Sequence, residues 1–174
     1  MRNAFKSGQL SWQLKVLYTL WIAVWIPVYV QYYEPTNLLW MCDVANILLL
    51  FAICLELPLL LSAQAAAVFL VQIVWAVDYF SALLFGVHVV GGTEYMFDSN
   101  YPLWLRTMSL FHVAVPPLLI WCLYRLGYDR RGPQLQTLII WLILPATFFL
   151  GVPDENVNWL WGVFGIPQTW MPPG

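Results

Sequence analysis

Five apolar runs fill most of this chain between Trp12 and Gly151. A helix crossing the roughly 30 Å hydrocarbon core of a bilayer needs about 20 such residues, at about 1.5 Å of rise each. The pattern predicts spans over 13–33, 37–57, 63–87, 103–126 and 134–151. Their borders carry helix start and stop residues: Pro35 in the turn after Glu34, Gly86 with Gly91-Gly92, Pro102, Gly127, Pro133 and Gly151. Charged residues make up only 9% of the chain, against about 25% in soluble domains. Aromatic residues reach 17%, which excludes disorder. The expected fold is all-α: a bundle of about five spanning helices over residues 1–151. A Pro-rich aromatic tail, 152–174, lies on the membrane interface.

Composition narrows the partners. A net charge of −2 leaves no bulk basic surface for nucleic acid. Cys42, Cys54 and Cys122 sit inside apolar runs, without CxxC or zinc spacing, and read as small buried residues. The first run is long and aromatic and lacks a small-residue cleavage site, so it reads as a retained helix.

Lys and Arg set the orientation. Arg2, Lys6 and Lys15 flank the start of the first span, and Arg125, Arg130 and Arg131 fall between spans four and five. Only Arg106 falls on the opposite side, with Glu34, Glu94, Asp98, Asp154 and Glu155. The expectation is a multi-pass protein of the bacterial cytoplasmic membrane, N-terminus inside and C-terminus outside. Trp159, Trp161 and Trp170 of the tail are expected at the outer headgroups, as an anchor or as a cap over a cavity.

Ionisable residues inside hydrocarbon are expensive, about 2.5 to 3.5 kcal/mol on insertion scales, and usually functional. Helical rise places Asp43 about 9 Å, and Asn46, Asp78 and His112 about 13 Å, below the outer end of their spans. Asp43 and Asn46 share a helix face at i, i+3. Asp43, Asp78 and His112 are therefore expected to converge as a catalytic centre, with Asn46, Arg106 and His88 binding substrate. Two carboxylates and an imidazole can exchange protons or hold a divalent cation. The competing expectation is plain interhelical hydrogen bonding. His88 and His112 differ too much in depth to share a haem.

Weaker signals complete the reading. Ser62, Ala63 and Ala65 to Ala67 allow close helix approach. Pro116-Pro117 removes backbone donors one turn below His112 and opens space there; Pro27 and Pro145 are expected to act alike. Glu56 is expected to be solvated. A Cys42–His112 nucleophile pair is disfavoured because Cys42 points about 100° from the Asp43 face. No GxSxG, HExxH, P-loop or GxGxxG signature occurs.

Two stretches, Leu39-Trp40-Met41-Cys42-Asp43 and Gly92-Thr93-Glu94-Tyr95-Met96-Phe97 followed by Pro102, resemble the YwaF-like integral membrane proteins, a family related to a eukaryotic membrane acyltransferase. The resemblance implies a small helical bundle with an outer-leaflet or lumenal lipid site. Trp40 and Met41 stand where that family has a His before its Cys, and Glu94 stands for its Asn.

The sequence thus points to a small membrane enzyme or a binding protein for a lipid-like or small polar ligand. Its alternatives are a transporter or ion-relay subunit acting as a homo-oligomer, and an accessory subunit docked on other membrane chains.

Overall fold

A computed structural model describes residues 9–162, all helix, turn and loop with no strand among them. Six helices follow one another: α1 Trp12–Tyr32, α2 Met41–Cys54, α3 Pro58–Phe85, α4 Leu103–Thr107, α5 Phe111–Leu126 and α6 Gly132–Leu150. Four segments are long and apolar enough to cross a membrane: α1, α3, the α4–α5 stretch Leu103–Leu126, and α6. Their outward faces carry large apolar side chains. Trp141 and Leu142 are each 72% exposed and Phe149 80%, which water would penalise and lipid does not.

The second expected span is shorter than its sequence suggested. Pro35–Leu39 forms a tight 3-10 turn, Trp40 takes an extended conformation, and α2 keeps only 14 residues. At about 1.5 Å per residue that is roughly 21 Å, less than the hydrocarbon core. The helix cannot start earlier because Asn158, 117 residues along the chain, caps it: its Oδ1 accepts from the Met41 N–H at 2.9 Å. The same side chain donates from Nδ2 to the Leu39 carbonyl at 2.8 Å and to Thr147 Oγ1 at 3.2 Å.

α3 is the central element. It packs against α2, α5 and α6, while α1 lies on α2. Gly132 fits against the start of α3 so closely that a Cβ there would sit 2.5 Å from Ser62 Cβ. Small residues at Ser62 and Ala63 thus admit α6, as their sequence implied. Trp25, Leu49, Ile53, Leu61 and Leu119 fill the core, fully buried, and Trp25 lies tilted against Tyr29 at 4.2 Å and edge-on to Phe111 at 5.6 Å. Helix continues through Pro27 and Pro145. The fourth span is interrupted instead by a 3-10 turn at Met108–Leu110, before its prolines.

The two ends of the bundle differ in charge. At one end Lys15 pairs with Glu56 at 2.6 Å, Arg125 reaches the Gln9 carbonyl, and the Asp129 N–H donates to Ser62. Glu56 is therefore ion-paired rather than simply solvated. Its backbone turns at φ +52, which closes the tight α2–α3 connection. At the other end lie the α3–α4 loop and residues 152–162. There Trp161 stacks on Phe148 and Trp159 meets Trp40 edge-on. Arg2, Lys6 and Trp170 fall outside the described residues.

Candidate functional site

The polar residues expected to converge are drawn into three separate settings. The first is a lock between α3 and the loop beyond it. Asp78 is wholly buried, about two turns before the helix end. Its Oδ1 accepts from the Val90 and Gly91 N–H groups at 2.7 and 3.0 Å. Its Oδ2 accepts from the Thr93 hydroxyl and from His88 Nδ1, the latter at 3.0 Å. Gly86, Gly91 and Gly92 take positive φ, which lets the loop fold back over the helix end. Asp78 is thus a saturated acceptor, and His88 is its partner. Asp78 is not in hydrogen-bond contact with Asp43 or His112.

The second setting lies between α1, α2 and α5. Asn46 Oδ1 accepts from Tyr18 at 2.8 Å and Trp21 at 3.4 Å. Asp43, 3% exposed, has only long contacts, Asn37 Nδ2 at 3.4 Å and Cys42 Sγ at 3.9 Å. Tyr29 and Ser109 hydroxyls meet at 2.9 Å. Arg106 donates from Nη1 to the Met96 carbonyl at 2.7 Å, so it braces the loop. The hydrogen bonds of Asp43 and Asn46 run to different neighbours although the two share a helix face.

The third setting is His112. Its Nδ1 lies 2.8 Å from the Ser109 carbonyl. A carbonyl only accepts, so Nδ1 carries the proton. The ring stacks on Trp75 at 4.5 Å and 17° and lies 4.1 Å from Phe111. No described residue hydrogen-bonds its other nitrogen, Nε2. The residue is 7% exposed, and it lines a groove of about 600 Å³ between α3 and α5. The remaining wall is apolar apart from Ser81 and includes Ile73, Phe80, Phe85, Val113 and the Pro116-Pro117 pair. The space expected beside the prolines is therefore present, and its polar tip is His112.

Pro116-Pro117 shapes that tip. In an α-helix each N–H donates to the carbonyl four residues back, and proline has no N–H. Pro117 leaves the Val113 carbonyl without this donor. Pro116 denies it the three-residue alternative as well. The His112 carbonyl loses its Pro116 donor and keeps only Val115 within reach of a 3-10 bond.

Several buried polar side chains escaped the sequence reading. Gln64, Gln72 and Gln136 are buried, and neither amide atom of any of them has a protein partner. Each is a polar residue within an apolar run, the same signal that picked out Asp78. Thr93, whose hydroxyl fixes Asp78, gave no such signal; Ser109 was legible at i, i+3 from both Arg106 and His112, but it fixes His112 through its backbone carbonyl. No group of three or more His, Cys, Asp or Glu side chains gathers for a metal among the described residues.

The fold and its lipid-facing surface define a multi-pass α-helical membrane protein. No protein-family model, curated protein or solved structure matches the chain.

Proposed function

We propose that this protein binds a lipid-like molecule in the α3–α5 groove, with His112 as the polar contact. The observation that carries the reading is a free imidazole nitrogen at the wall of an otherwise apolar cleft. A ring nitrogen facing hydrocarbon without a partner is costly, and a ligand polar group at that point removes the cost. The cleft runs from Ile73 to Phe85, about 18 Å along α3. That compares with about 15 Å for one leaflet of hydrocarbon. Asp78, His88 and Thr93 hold the outer end of α3 in place, and Arg106 braces the adjoining loop. Both act on the site by position rather than by contact.

The charge pattern supports an orientation. Lys15, Arg125, Arg130 and Arg131 share one end of the bundle, so that end is cytoplasmic and the groove opens towards the outer leaflet of a bacterial cytoplasmic membrane.

The test is native mass spectrometry of protein purified in mild detergent, comparing wild type with Val113→Trp, which fills the groove from α5. A stoichiometric lipid-like adduct on wild type, lost in a variant of equal thermal stability, is expected. Equal adducts on both, or none on wild type, would remove the groove as the site.

A further inference from the structure

Beside Trp75 the groove offers only a hydrogen-bond acceptor. His112 Nδ1 is committed as a donor to Ser109. With no carboxylate in contact, the ring is neutral and presents a lone pair at Nε2. The ligand end that meets it must therefore donate. Ser81, the other polar side chain of the lining, lies six residues beyond Trp75 on α3, about 9 Å towards the outer end.

Depth selects among donors. The α4–α5 segment has 24 residues, about 36 Å of helix against about 30 Å of hydrocarbon. His112, nine residues in, thus lies roughly 10 Å below the hydrocarbon boundary. An ammonium headgroup would have to leave water to reach it, and the groove lining contains no carboxylate to receive it. A neutral hydroxyl costs far less to desolvate than a charge, and a hydrogen bond to Nε2 offsets that cost. A phospholipid holds its polar atoms at the boundary, so the donor belongs to a molecule without a charged head. We infer that the groove takes an uncharged lipophile bearing a hydroxyl, whose one proton is donated to His112 Nε2. This rests on the lipid-like reading above and adds the chemistry of the polar end.

The test uses a photoreactive diazirine derivative of hexadecanol and its methyl ether, each crosslinked to the full chain in nanodiscs, with adducts mapped by peptide mass spectrometry. The alcohol is expected to label residues 73–89 or 112–117 saturably, and at least tenfold more than the ether. His112→Phe keeps the stack on Trp75 and removes the acceptor. It is expected to lower the alcohol's labelling to the ether's level while leaving the ether's own labelling unchanged, which separates the lost hydrogen bond from lost folding. Equal, saturable labelling by alcohol and ether would overturn the hydroxyl inference and leave a lipid groove. No saturable groove labelling by either, or by a diazirine phosphatidylcholine, would overturn the lipid reading itself.

Discussion

Replacing Asp78 by Ala should unlatch the C-terminal end of α3 without touching the groove wall. The carboxylate accepts four hydrogen bonds, from Val90, Gly91, Thr93 and His88. Thr93 is fully buried, and its hydroxyl is left with only His88 Nδ1, 3.0 Å away; the bond it loses, to a charged acceptor, is worth about 1.5–3 kcal/mol. The other three donors are partly exposed and regain water, so each loses less, about 0.5–1 kcal/mol. The sum is about 3–6 kcal/mol. Asp78→Asn keeps a carbonyl oxygen for Val90 and Gly91 and should fall between wild type and Ala, because charge-assisted bonds are about twice as strong as neutral ones. The assay is unfolding in detergent followed by a thiol-reactive dye, since Cys122 is fully buried and becomes reactive only when the bundle opens. A loss under about 1 kcal/mol for Asp78→Ala would show that the latch does not hold the fold. Intact folding with loss of ligand in both variants would instead return Asp78 to the site itself.

Other outcomes follow from the same geometry. Gly132→Ala places a Cβ 2.5 Å from Ser62 Cβ and 2.7 Å from its backbone carbon; thermal unfolding should show a loss of about 1–3 kcal/mol as α6 is forced off α3. Asn158→Ala removes the distant cap of α2 and two further bonds, and should destabilise by about 2 kcal/mol, with hydrogen exchange at the Met41 amide rising first. The Arg131 guanidinium beside Asp129 holds that carboxyl down to about 2. A carboxyl lowered from its ordinary 3.8 stabilises the α5–α6 turn above about pH 4 and loses this as pH falls towards 2. Hydrogen exchange of the turn should be flat from pH 7 to 4 once corrected for intrinsic rates, then rise, and Arg131→Gln should move the rise to higher pH. A membrane-impermeant maleimide should label a cysteine placed at Asp154 in intact cells and leave one at Tyr128 unlabelled, in a background lacking the native thiols; the reverse pattern would invert the orientation.

The hydrophobic pattern by itself determined that this chain is a helical membrane bundle, and where most spans begin and end. Length and apolarity are properties of consecutive residues, and a bilayer imposes one thickness on all of them. A close helix approach to α3 was legible too, from the small residues Ser62 and Ala63; that the partner is α6, through Gly132, was not. Depth along each span was readable from helical rise, and it placed Asp78 and His112 at one level. Rotation about each helix axis was not readable, since it depends on which neighbours pack against which face. That rotation sends Asp78 to the loop and to His88, Asn46 to Tyr18, and His112 to Trp75 and the groove. The length of α2 was hidden for a related reason: its start is capped by Asn158, a residue 117 positions away that only the tertiary fold delivers. The sequence supplied the polar groups and their depth, and packing decided which of them meet.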